Sequence, residues 1–186
     1  LGWDRRYYLY EIVVYVPATG RMEINRVTDP YAVSLSANSE RSQLVDLFGD
    51  ARLQPPAWDT HVVRELHAPE DAVIYELHVR DFSIYDLSVR PEYRGRFLAF
   101  TEPSSDSFGH LKMLAEAGLS HVHLLPIFDF ATVEETHANR REPDRDMLGQ
   151  FESASPEPQK QIAKVRQQDG YNWGYDPYHY GVPEGS

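Results

Sequence analysis

Five aromatic rings fall within ten residues near the end of this 186-residue chain: Tyr171, Trp173, Tyr175, Tyr178 and Tyr180. Gly170, Gly174, Pro177 and Gly181 interleave them, a pattern that reads as a shaped loop rather than the interior of a strand or helix. Flat rings on a rigid loop can stack on the C–H face of a sugar, while Asn172 and Asp176 hydrogen-bond its hydroxyls. The same composition also suits an aromatic turn that only packs a core.

A second group of chemistry-bearing residues is His121 and His123, two apart on a strand pattern and therefore on one face. Such a pair can bind zinc, as in metal-dependent hydrolases, with His78 as a third ligand. Hydrogen-bonded packing histidines explain the pair better, because no further ligand motif accompanies it. Acids outnumber bases, 29 to 18, for a net charge of −11. That balance argues against nucleic acid as a partner, since phosphate binding needs clustered Lys and Arg. There are no cysteines, hence neither a disulfide framework nor a thiolate metal site, and the redox compartment stays open. No apolar run approaches a membrane span, while 41% hydrophobic residues suffice for a core.

The elements that must position these residues follow from hydrophobic periodicity. Residues 7–16 are β-branched and aromatic and read as a strand, with Tyr8, Tyr10, Ile12, Val14 and Val16 on one face. Pro17 to Gly20 reads as a turn and Arg21 to Val27 as the returning strand. Proline-marked connections at residues 54–59 and 67–71 place a domain boundary near residue 68. Residues 72–82 read as the first strand of a new domain, Val73, Tyr75, Leu77 and Val79 forming its apolar face and Ile74, Glu76, His78 and Arg80 the other. A loop over 83–106 leads to Ser107 as helix N-cap, a stripe of Phe108, Leu111, Leu114 and Ala115, and Gly118 at the C-terminal stop. A second strand spans 119–127. Strand, helix and strand in this order form a βαβ unit with parallel strands. Residues 131–168 read as a polar surface insertion with a short helix from Pro156 to Gln168 capped by Ser155.

The string Tyr171-Asn172-Trp173-Gly174-Tyr175-Asp176-Pro177, followed by Val182-Pro183-Glu184-Gly185-Ser186, resembles the signature of pullulanase-type enzymes, the α-1,6-debranching members of the α-amylase superfamily. Ile74 to Ser83 is similar to that family's first barrel strand, and Gly118 to Pro126 to its second. The resemblance implies an α/β fold: the beginning of a (β/α)8 TIM barrel preceded by part of an antiparallel β-sandwich. Residues 1–68 would be the C-terminal part of a carbohydrate-binding-like sandwich module plus linker. Residues 69–186 would be the N-terminal part of the catalytic barrel, with the polar insertion at 131–168. It further implies that Tyr175 stacks on the sugar at the cleavage subsite, that Trp173 and Asp176 line the same pocket, and that Tyr171 and Tyr178 pack the loop.

By the same resemblance the substrates are α-glucans with branch linkages, such as pullulan, starch dextrins or glycogen, cleaved with retention of configuration. The other implied partner is the remainder of the same polypeptide; a membrane and nucleic acid are not expected. No cofactor is expected of this segment, calcium being admitted only for the full-length enzyme. A retaining enzyme needs two carboxyl groups about 5 Å apart. Glu76 and Asp81 fall on opposite faces of their expected strand, and Asp169 and Asp176 lie on the loop, so no catalytic pair is assigned. The nucleophile and the acid/base are expected beyond Ser186, and the opening residues, which resemble neither a start nor a signal peptide, suggest a chain that begins in mid-protein. The segment alone is therefore expected to be inactive, and residues 72–186 to be unstable without the missing strands. A stand-alone carbohydrate-binding module is the alternative, but modules of that sort are all-β and leave the βαβ unit unexplained.

Overall fold

The N-terminal strands form because their side chains alternate between two faces of a pleated ribbon. In the computed structural model, which describes residues 2–63 and 65–186, β1 covers Tyr7–Tyr8, β2 Tyr10–Val16, β3 Arg21–Val27 and β4 Ser42–Gln43. β2 and β3 pair antiparallel from Tyr10 opposite Val27 to Val16 opposite Arg21. The turn between them closes with Gly20 at φ +70° and its N–H on the Val16 carbonyl, a backbone state that glycine adopts without strain. The single expected strand over 7–16 is therefore two, because β1 leaves β2 to pair with β4. Both faces of the β2–β3 ribbon stay largely open, with Val13 65% and Ile24 66% exposed on one and Tyr10 48% and Ile12 40% on the other.

Residues 55–127 make one compact unit. In it β5 (Ile74–Leu77) and β6 (His121–Leu124) pair in parallel, with α1 (Val79–Ser83) and α2 (Asp106–Glu116) between them in sequence. This is the expected βαβ order. Ser120 locks the start of the pair, its hydroxyl accepting from the Val73 N–H and donating to the Val73 carbonyl. Several boundaries differ from the sequence reading, and the second strand, expected over 119–127, spans only His121–Leu124. The strand expected to reach residue 82 stops at Leu77, and the chain turns helical at Val79. Packing selects that helix: the ring of Phe82 stacks on Phe100, centroids 4.5 Å apart, and the buried Ser83 hydroxyl accepts from the Gly95 N–H. The N-cap of α2 is Ser105 rather than Ser107. Ser107 is engaged elsewhere, giving both its N–H and its hydroxyl proton to Asp86. Burial works against the Asp86 charge, but these bonds and those from Ser88 outweigh it and hold the carboxyl well below its ordinary pKa. Gly118, at φ +111°, ends the helix as expected.

The other compact unit joins residues 1–54 with 128–186. Its later elements are β7 (Phe128–Phe130), α3 (Arg145–Leu148), α4 (Glu157–Val165) and β8 (Pro177–Pro183). α3 is capped by Asp144, whose carboxylate accepts from the Asp146 and Met147 N–H groups. α4 differs from the helix expected over Pro156 to Gln168 with Ser155 as cap: its N-cap is Pro156, which makes no side-chain cap bond, Ser155 accepts only the Glu157 N–H from one residue earlier, and the helix ends at Val165. The aromatic segment is only partly a loop: from Pro177 onward it is a strand, antiparallel to β7, with register shifts on either side of Asp129. The shifts explain why neither alternation nor the flanking prolines revealed it, since bulges break the period and proline is tolerated at strand ends. Grouping by contact thus differs from the expected 1–68 and 69–186 segments, which concern module membership in a longer protein. Leu1 and Arg64, both within 1–68, lie outside the described residues.

Candidate functional site

The turn that leads into β8 is held by side chains. Asn172 donates through Nδ2 to the Ala131 carbonyl at 3.0 Å and to the Thr132 hydroxyl at 2.7 Å. Its Oδ1 accepts the Gly174 N–H at 2.9 Å. The Thr132 hydroxyl passes its own proton to Asp176 Oδ2 at 3.0 Å, and the Ala131 N–H reaches the Asp176 carbonyl, also at 3.0 Å. Residues 172, 174 and 176 are thereby each tied down. The two residues between them, Trp173 and Tyr175, are 52% and 69% exposed. Gly174 is buried at φ +86°, which a side-chain-bearing residue would adopt only under strain. Tyr171 packs edge-on against Trp173, centroids 5.6 Å apart, and Tyr178 meets His179 at 4.5 Å.

Thr132 sits at φ +64°. For a β-branched residue this left-handed state costs about 1–2 kcal/mol, and it persists only where surrounding bonds over-determine it. Its hydroxyl, donor and acceptor at once, supplies that determination.

Below the turn lies a buried polar string. His179, 3% exposed, contacts Thr28 Oγ1 through Nε2 at 2.7 Å and Asp129 Oδ2 through Nδ1 at 2.6 Å. Asp129, 2% exposed, accepts the Ser39 hydroxyl on its other oxygen at 2.6 Å. Glu135 and Glu184 complete a carboxyl cluster with Asp129, one ligand atom of each lying within 4.8 Å of the others. Burial, and next the charge of Glu184, push the Glu135 carboxyl up to about 7. Burial also raises Glu184, against the Phe130 and Ser186 amides that its two oxygens accept. A cation or a shared proton can neutralise such a group. The protein supplies one hydrogen bond to each oxygen of Asp129 and of Glu184, which leaves lone pairs open, so the geometry admits either a shared proton or a cation. It does not suit a glycosidic acid pair. Asp129 is sealed from substrate, and the Glu135 carboxyl packs against Gly185.

The histidines of β6 have other partners. His123 Nδ1 lies 3.0 Å from Glu76 Oε2, and His121 Nδ1 lies 2.9 Å from the Ser120 hydroxyl. Neither joins a group of three ligand atoms among the described residues, and neither does His78. The geometry therefore unites Trp173, Tyr175 and Asp176 on one clasped turn, with the Asp176 carboxylate turned toward Thr132. Sequence reasoning passed over Thr132, Asp129 and His179, which belong to no motif. Only the positions of Asn172 and Gly174 within the aromatic string hinted at a built turn.

No protein-family model matches the chain. It is 44% identical over 187 residues to Pullulanase 1, chloroplastic, of Arabidopsis thaliana, a match covering 100% of this chain and 19% of that protein. Against the pullulanase of Klebsiella pneumoniae it is 38% identical over 216 residues, covering 97% and 20% respectively. Among solved structures it is similar to PulA from Klebsiella oxytoca, with a TM-score of 0.86 and 35% identity over 99% of this chain and 21% of that one. The maltotriose complex of PulA from Klebsiella pneumoniae gives a TM-score of 0.86 and 36% identity over 100% and 24%. The chain spans about a fifth of the length of the curated relatives it matches.

Proposed function

We infer that this chain, a homologue of pullulanases over its whole length, is the substrate-gripping part of a retaining glycoside hydrolase that opens α-1,6 branch linkages in α-glucans. Residues 1–68 belong to a β-sandwich module and its linker, and residues 69–186 to the first part of a (β/α)8 barrel. The parallel β5–β6 pair supports the second assignment, since parallel strands joined through a helix are the unit from which such barrels are built.

In this reading Tyr175 stacks on the apolar face of a glucose ring beside the scissile bond. Trp173 extends the platform and Asp176 fixes the turn while lining the same pocket. The observation that carries the reading is the mount of Tyr175: a ring more than two-thirds exposed on a turn whose neighbours on both sides are hydrogen-bonded in place. A ring that only packed a core would be covered, and a ring on a loose loop would lose affinity in being ordered. Stacking that strengthens as the sugar flattens toward an oxocarbenium-like transition state accelerates the reaction as well as binding substrate. By resemblance to the family, the two catalytic carboxyl groups come from parts of the enzyme outside this segment; in the one group of three close carboxyls among the described residues, Asp129 is buried.

The test is Tyr175→Ala in the full-length enzyme. The expected result is a loss of about 100-fold in kcat/KM on pullulan, the scale of one buried aromatic contact. Unchanged hydrolysis would refute the assignment. The 186-residue segment by itself is expected to release no reducing ends from pullulan.

A further inference from the structure

We propose that Thr132 is a positioning residue for the glucan-stacking ring, acting through Asn172 and Asp176 to fix the pitch of Tyr175; this rests on the stacking role proposed for Tyr175. Thr132 lies in the polar insertion, forty residues before Asn172, yet its hydroxyl is the hinge pin of the turn. It accepts from Asn172 and donates to Asp176, so one oxygen joins the residue three before Tyr175 to the residue just after it. The peptide groups of Ala131 reinforce the same two residues, its carbonyl taking Asn172 and its N–H reaching the Asp176 carbonyl. Backbone and hydroxyl together grip the turn at both ends and leave Tyr175 only its side-chain torsions.

The backbone of Thr132 gives the argument its direction. At φ +64° glycine would be relaxed and threonine is not. A residue kept there for stability alone would be better as glycine. A residue kept for its hydroxyl must be threonine or serine, whatever its backbone suffers. Stability and positioning therefore make opposite forecasts for the same substitution.

The experiment compares Thr132→Gly, Thr132→Val and Thr132→Ser in the full-length enzyme, each also combined with Tyr175→Ala. Thermal midpoint, kcat and KM on pullulan are read for all. Thr132→Gly is expected to keep or raise the midpoint while kcat/KM falls about tenfold, and Thr132→Val to lose as much. Thr132→Ser should restore most of the loss, since it keeps the oxygen and its proton. In the Tyr175→Ala background Thr132→Gly and Thr132→Val should cost far less in kcat/KM, because the ring they orient is gone and only Trp173 and Asp176 remain to be displaced. If Thr132→Gly leaves kcat/KM intact, or if its loss persists undiminished in that background, the positioning role is overturned while the stacking role of Tyr175 stands. If Tyr175→Ala is itself silent, the stacking role fails and this proposal with it.

Discussion

Two surfaces of this molecule expose aromatic and aliphatic side chains, and they are built differently. On the β2–β3 ribbon, Val13, Tyr15, Met22 and Ile24 share one open face, held only by the backbone ladder beneath them. On the turn before β8, Trp173 and Tyr175 stand out to a similar degree, but every residue beside them is tied by a side-chain or glycine contact. A two-stranded ribbon is marginally stable on its own and its register alone orients its side chains. The turn is fixed by directional bonds above the buried Asp129–His179 pair. Exposure of a ring therefore carries little information; the rigidity of its mount carries a good deal.

The largest expected contrast is between two tyrosines. Tyr175→Ala should cost about 100-fold in pullulan hydrolysis, and Tyr15→Ala, 56% exposed on the ribbon, no more than about twofold. Equal losses would erase the distinction between the surfaces. Next comes the support beneath the turn. Asp129→Ala leaves the buried His179 and Ser39 without their shared partner and should destabilise the full-length enzyme by about 3 kcal/mol, seen as a lower midpoint in thermal unfolding. Removing Glu11, whose pairing with Arg26 on the ribbon is solvent-exposed, should leave the midpoint where it is.

The smallest effect concerns pH. Glu135 titrates near 7 in the folded chain against 4.5 as an unperturbed side chain. Between those values the folded state holds a proton that the unfolded state has released, so stability falls as pH rises through that window. Because the group is only partly enclosed and shares its field with Glu184, the loss between pH 5 and 8 is set at about 1 kcal/mol. Glu135→Gln should flatten this slope and raise the thermal midpoint at pH 8. A slope that survives the substitution would place its origin elsewhere.

Periodicity was enough for part of this architecture. Arg21–Val27 ends where its alternation ends, and the parallel β5–β6 pair follows from a strand, a helix and a glycine stop in sequence. It failed where packing outvotes pattern. Nothing in the alternation of residues 72–82 marks Leu77 as the last strand residue, because the stacking of Phe82 on Phe100 is a contact with a distant loop. The β7–β8 pair was hidden for a related reason: its strands are short, some fifty residues apart, bulged, and edged by proline. At the site the aromatic string drew attention to itself by composition. Thr132 could not, since a lone threonine in a polar stretch gives no sign of a left-handed backbone or of the two bonds that hold it there.

The most direct measurement is a crystal structure of the full-length enzyme soaked with maltotriose. The account requires a glucose ring lying flat on the Tyr175 side chain at van der Waals distance, about 4 Å, with the Asn172–Thr132–Asp176 bonds unbroken beneath it. A glucan bound in the catalytic cleft with Tyr175 still facing solvent would contradict it.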